Sequence, residues 1–306
     1  MTALFMGTCI AYHLFLWLQS TQLAARQDGS GSGSGGLLGI GGIHFDVLHA
    51  YGASIREGLW DGGWQRLVLP MFMHGGLIHI IFNMTSLYQL GPSLEVHFGS
   101  SNFGTIYLLS GVGSTCMSLI CGGNLATGAS GAIFGMLGAV LAVKVMACMD
   151  LRRAWKNSEV RSTAKYIAIL FAVCFLIPHV DQWGHLGGLL IGFLYGMLFE
   201  YWRKHRHVGL ALILLLLSVS AASVVAARWM VFNPHYHVHL GLKADAEGAA
   251  EVAEAHFVEA RRWARRWRSE RAGIELDAAA NQALAAGDGA RATRYLLLMF
   301  EVGAER

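Results

Sequence analysis

The sequence predicts an all-α protein of the membrane: seven hydrophobic helical spans followed by a small soluble helical domain. Three observations lead there. Hydrophobic residues make up 54% of the 306 and charged residues only 14%, where a soluble globular chain carries about 25% charged. The mean hydropathy is +0.44, and the apolar residues fall in runs near the roughly 20 residues that a hydrocarbon core about 30 Å thick requires. From about residue 240 the composition turns abruptly to charged and alanine-rich sequence, with 11 of the 20 acidic and 10 of the 23 basic residues of the chain.

Taken in order, the first span covers 1–18. Its start, "MTALFMGTCIAYHLFLWLQ", lacks the basic n-region and small-x-small cleavage site of a signal peptide, so it reads as a retained helix. A long loop over 19–71 follows, opening on the Gly/Ser run "RQDGSGSGSGG", a flexible linker by composition. The rest of that loop mixes Trp, Arg and apolar residues, as interfacial segments do. Spans two to six are expected near 72–91, 103–122, 129–148, 164–179 and 184–201, within a core over 72–202, and the seventh over 208–232. The tail, 240–306, reads as two or three amphipathic helices broken near Gly287–Gly289.

Charge sets the expected orientation. Arg152, Arg153, Lys156, Arg161 and Lys165 lie between spans four and five, and Arg203, Lys204 and Arg206 between six and seven. The positive-inside rule puts both loops in the cytoplasm and, with seven spans, the tail outside it. The net charge of +3 is too small to suggest nucleic acid as a partner. Cys9, Cys116, Cys121, Cys148 and Cys174 all lie in hydrophobic stretches without a C-x-x-C pair, so no disulfide framework or zinc site is indicated.

Polar residues inside spans are costly and become functional candidates. Span two carries His74, His79 and Asn83, span four opens with Ser130, and span six opens with His185. These even-numbered spans run in one direction, which places all five polar groups in the outer half of the bilayer, within about 15 Å of its surface. Gly131, Gly135 and Gly138 follow the serine, and Gly188, Gly192 and Gly196 follow the histidine. Small residues at four-residue spacing let two helices approach closely. His185 is then a candidate general base for Ser130, and His79, Asn83 and the Ser130 amide are candidate donors to an oxyanion.

These segments resemble the rhomboid family of intramembrane serine proteases. "GASG" at 128–131 is similar to its nucleophile motif, "HGGLIHIIFN" at 74–83 to its H-x-x-x-x-H-x-x-x-N motif, and "GHLGGLLIG" at 184–192 to its histidine segment. "LGPSLEVHFGS", with Glu95, resembles the segment after its second span, and the likeness covers about 45–202. It implies a six-helix rhomboid-like bundle with one added C-terminal span and a Ser130–His185 dyad. His79 and Asn83 then support the oxyanion, His74 has a structural or water-organising role, and Gly128, Gly131, Gly135, Gly188 and Gly192 pack helices. The sequence departs from the family in having Gln65 directly before Arg66, with Trp64 one place back, and Gly184 before the histidine.

The expected activity is hydrolysis of peptide bonds in or beside the transmembrane segments of single-pass or polytopic membrane proteins. No metal or organic cofactor is expected. The expected setting is a bacterial inner (plasma) membrane with the site facing the extracytoplasmic side. Two rivals stand beside it. A non-catalytic rhomboid-like binder of membrane helices in quality control has no reason to keep both Ser130 and His185. A proton-coupled transporter normally needs a mid-membrane carboxylate, which the six family-like spans lack.

Five further features have plainer readings. His13 and His179 read as packed histidines, and Asp181 as a solvated loop residue rather than a third triad member. "HYHVH" at 235–239 alternates as a strand does and reads as a juxtamembrane linker, with a weak metal site as the sharper alternative. The "RRWARRWR" run is either a lipid-binding face or a solvated helix face. "GDGARATRYL" is similar to a helical-repeat hairpin, but one copy makes no repeat.

Overall fold

A computed structural model of the chain describes residues 1–28, 42–122, 125–148, 150–177, 180–205, 217, 220–221, 223–226, 233–265 and 269–302. The predicted seventh span, 208–232, lies almost wholly outside these residues. So do His179 and nearly all of the Gly/Ser run.

The described residues form helices and turns, in two units, Met1–Arg228 and Trp229–Arg306. In the first unit the long helices are α1 (Thr2–Asp28), α4 (Leu77–Phe98), α5 (Ser100–Met117), α6 (Ser130–Ala147), α8 (Ser158–Leu176) and α9 (Gln182–Lys204). Short helices α2 (Phe45–Ala50), α3 (Arg56–Trp60) and α7 (Leu151–Lys156) lie in the connections. Thr2–Ala24, Ser100–Cys121 and Ser130–Ala147 are long and apolar enough to cross a membrane. α4, with 22 residues, is equally long at about 33 Å, and its lower hydropathy reflects the polar groups it carries. The protein is a multi-pass helical membrane protein, and the outward side chains suit a lipid solvent: Phe82, Val96, Phe175 and Leu176 are each at least 70% exposed.

α6 is the hub. Its residues from Gly131 to Ala139 are all buried, and its most extensive neighbours are α9 and α5. Glycine explains the closeness. A Cβ on Gly188 would fall on the Gly131 carbonyl, one on Gly192 on the Gly135 carbonyl, and one on Gly138 on the Leu189 carbonyl. In a bilayer, close backbone packing takes over from the hydrophobic effect as the force joining helices. On the other side, Ser114 and Ser110 of α5 occupy the space above Gly131 and Gly135.

α1 packs against α4 and touches α5 through Phe5. Phe5 stacks on Tyr107 at 4.1 Å, and both belong to the main core with Met84, Leu87, Phe103 and Met136. Glu95 caps the start of α1, accepting from the Thr2 N–H at 3.0 Å and its hydroxyl at 2.9 Å. α1 reaches beyond the predicted end at 18 because "QSTQLAARQD" is polar yet helix-forming.

The loop before α4 is ordered by Arg66, whose guanidinium donates to the His49 and Ala53 carbonyls, each at 2.9 Å. That anchorage does not involve the neighbouring position, where Gln65 stands. α4 starts at Leu77, so His74 lies in the turn before it and not on the second span as expected. The pair Gly75–Gly76 breaks the helix there, with Gly76 fully extended at φ 179°.

The described residues of the second unit form four helices, α10 (Pro234–Ala246), α11 (Ala250–Ala264), α12 (Glu270–Ala285) and α13 (Gly289–Val302). They form two antiparallel hairpins. Each turns on a glycine at φ +79°, Gly248 and Gly287, closed by Ala249 N–H to Ala244 O and Asp288 N–H to Ala283 O, both 2.9 Å. This is the helix stop for which glycine is preferred. Val238, Phe257, Leu276, Tyr295 and Leu298 fill the core between the hairpins.

"HYHVH" is helical, contrary to the linker expectation. Asn233 caps α10 by accepting from His235 N–H at 2.9 Å, and Pro234 supplies the first helical position. The alternation of histidines imitated a strand, but the helix puts His235 and His239 on one face.

Candidate active site

The site forms where the loop 125–129 delivers the chain into α6. Ser54 and Ala126 exchange two backbone hydrogen bonds of 3.1 Å, and Gly128 N–H donates to the Pro70 carbonyl at 2.8 Å. Gly128 has φ +119°, a conformation that side-chain-bearing residues rarely adopt. A Cβ there would also lie 2.6 Å from His79 Nε2. That bend starts α6 at Ser130 and leaves its first backbone N–H groups without helical partners.

His185 comes from the first turn of α9. Asp181 is the N-cap, accepting from Gly184 N–H at 2.9 Å. The carboxylate therefore serves the backbone, and His185 Nδ1 has no hydrogen-bond partner among the described residues. His185 Nε2 lies 2.9 Å from Ser130 Oγ, and the imidazole is only 5% exposed. For Nε2 to accept the hydroxyl proton, the ring carries its own proton on Nδ1. The glycine contacts of α6 with α9 account for the approach: Ser130 immediately precedes Gly131, and His185 lies one turn before Gly188.

His79 places its ring against Gly128. Asn83, one turn on, donates one amide N–H to the His79 carbonyl at 2.8 Å and keeps the other. Both line a cavity of about 760 Å³ that also reaches Ser130, Phe134, Cys174 and His185. His74 is fully buried behind this cavity. Its Nε2 accepts from Ala129 N–H at 3.4 Å, and its ring stands edge-on to His79 at 5.2 Å. The structure thus gathers Ser130, His185, His79 and Asn83 around one space and sets His74 as a support for the residue before the serine.

Two neighbours were not among the residues singled out for this site. Phe134 stacks on the His185 ring at 4.4 Å and limits its rotation. Its signal in the sequence was an aromatic one turn after Ser130. His13 of α1, read as a packed histidine, donates from Nδ1 to the His74 carbonyl at 3.1 Å. No local pattern links residues so far apart in sequence.

Chemically, the site offers a hydroxyl with a base in contact, N–H groups at a helix start without helical partners, and a largely apolar cavity into which a few polar groups project. These features define a polytopic helical membrane protein with a serine–histidine pair. The Rhomboid domain matches residues 61–202, so the chain carries a rhomboid-family domain over those residues. It is similar to RHOMBOID-like protein 5 of Arabidopsis thaliana, at 36% identity over 157 residues, 49% of this chain and 48% of the relative. It is also similar to rhomboid protease GluP of Bacillus subtilis (strain 168), at 33% over 153 residues, 50% and 29% of the two chains. RHOMBOID-like protein 1 of Arabidopsis thaliana is 39% identical over 172 residues, 53% and 41%. The chain spans less than half the length of each of these relatives.

Proposed function

We propose that this protein is an intramembrane serine endopeptidase that cuts transmembrane or juxtamembrane segments of membrane-anchored proteins. The observation that carries the reading is the 2.9 Å contact between Ser130 Oγ and His185 Nε2 beside the cavity. His185 takes the hydroxyl proton as Ser130 attacks the scissile carbonyl. The oxyanion receives the Ser130 N–H at the positive end of α6, with His79 and the second Asn83 N–H at its flank. His185 then returns the proton to the leaving amine, and water entering along the polar groups of the cavity hydrolyses the acyl-enzyme.

The decisive experiment is labelling by a fluorophosphonate probe in detergent, comparing wild type with Ser130→Ala and His185→Ala. Labelling of wild type that vanishes in both variants supports the dyad. A folded wild type that no small probe labels and that cleaves no membrane substrate sinks the reading in favour of a helix binder.

The proposed membrane is a bacterial plasma membrane, with the site facing outward. Support for the orientation comes from the basic residues Arg152, Arg153, Lys156, Arg203 and Lys204 at the opposite ends of the helices that carry Ser130 and His185. A cysteine placed near 270 is expected to react with an impermeant reagent applied to intact cells. Reaction only after lysis reverses the proposed topology.

A further inference from the structure

The inward face of α1 is apolar or small except at one position. Phe5, Cys9, His13, Leu16, Ser20 and Ala24 repeat at three- and four-residue spacing, and each is at most 7% exposed. An imidazole in that row is costly inside a span, and such residues are functional candidates by default. His13 Nδ1 lies 3.1 Å from the His74 carbonyl oxygen. A carbonyl only accepts, so His13 carries a proton on Nδ1 and donates it.

The turn that His13 holds is a clamp on the serine loop. The Pro70 carbonyl accepts from Met73 N–H at 3.1 Å and from Gly128 N–H at 2.8 Å. His74 Nε2 accepts from Ala129 N–H at 3.4 Å. Two consecutive amides ahead of Ser130 are thus tied to residues 70–74, and the Ser130 N–H comes next. The Ala129 contact is near the outer limit of a hydrogen bond, so a small shift of the His74 backbone breaks it. His13 fixes that backbone at the His74 carbonyl, and Ile43 N–H holds the following carbonyl, Gly75, at 2.8 Å.

We propose that His13 is a positioning residue for Ser130: by donating to the His74 carbonyl it aims the His74 ring at Ala129 and fixes the loop that presents the serine and its amide. The role rests on the endopeptidase reading and deepens it. It requires a donor on the nitrogen bonded to Cγ and not the volume of the ring. Asparagine carries an amide N–H at that same branch, glutamine carries it one bond further out, and phenylalanine keeps the ring without the donor.

The test uses the full chain in detergent and two readouts: the rate of fluorophosphonate labelling of Ser130, and hydrogen exchange of the segment 125–129. His13→Phe and His13→Gln are each expected to slow labelling at least about tenfold. They should also speed exchange of that segment about fivefold, the value of one lost hydrogen bond. His13→Asn is expected to restore both readouts to near the wild-type values. Wild-type labelling rates in His13→Phe and His13→Gln overturn the role. So does rescue by phenylalanine with loss in asparagine, which assigns His13 to packing alone, and slow labelling with unchanged exchange, which removes the route through His74. A wild type that takes no probe sinks the endopeptidase reading and this role with it, and the missing wild-type signal tells that failure apart from the others. Should His13→Phe not fold, His13→Gln decides against His13→Asn.

Discussion

Gly128 illustrates what one residue determines at this site. Its φ of +119° excludes ordinary side chains, and the His79 ring occupies the place a Cβ would take. Gly128→Ala is expected to destabilise the protein by about 1–2 kcal/mol through backbone strain alone. It should also move His79 and the start of α6 together. A displacement of about 1 Å can cost on the order of 100-fold in rate, so probe labelling of Ser130 is expected to fall by about that factor while the protein stays folded. Labelling at the wild-type rate would show that the bend at 128 does not position the serine. Ser130 and His185 were legible because each opens an apolar run with a polar side chain. The pressure of His79 on Gly128 and the stacking of Phe134 on His185 were not, since both pairs meet across helices or loops.

At the scale of elements, the α6–α9 pair holds Ser130 beside His185. The groups facing Gly188 and Gly192 are backbone carbonyls, which cannot rotate aside as a side chain can. Gly188→Ala must push the helices apart, at a cost of about 1–3 kcal/mol for overpacking. Thermal stability and serine labelling are expected to fall together in that variant, whereas Ser130→Ala should abolish labelling with the unfolding temperature almost unchanged. An unchanged midpoint in Gly188→Ala would contradict the close crossing. The four-residue glycine spacing made this contact readable in advance. The start of α4 was less so: the hydrophobic run continues through 72–76, but Gly75 and Gly76 end the helix and leave His74 in a turn.

At the scale of the whole molecule, the tail unit has its own electrostatic anchor. Asp245, 10% exposed, accepts from Arg291 Nε at 2.7 Å and from the Tyr295 hydroxyl, with Arg294 nearby. Burial raises its pKa, but these hydrogen bonds and charges prevail and leave it below the ordinary aspartate value of 3.8. A depressed carboxyl stabilises the fold above its unfolded pKa, and that contribution fades as pH falls through the lower folded value. The tail is therefore expected to lose protection from hydrogen exchange as pH drops below about 4, and Asp245→Asn should remove part of that dependence. The arginines are each about a third exposed, which discounts the pairing. A cost of about 1–2 kcal/mol is expected for Asp245→Asn. A tail whose protection is indifferent both to acid and to this substitution would refute the anchor.

The sequence by itself determined the class of the protein and the elements that build it. Hydropathy, chain charge and glycine period are local properties, and in a bilayer they largely dictate where helices run, because every backbone group must be satisfied within its own segment. It also nominated Ser130, His185, His79, Asn83 and His74. Only the tertiary structure decided which polar atoms meet. It placed Ser130 Oγ against His185 Nε2, used Asp181 as a helix cap, and joined α1 to the site through His13. It also wound the alternating histidines of 235–239 into a helix facing Glu275. The Asp181 cap and the winding of 235–239 are local events; for the contacts that cross between helices there is one physical reason. A side chain's partner across a helix interface is set by crossing distance and rotation, which depend on the packing of both helices at once, and no window of one chain contains that information.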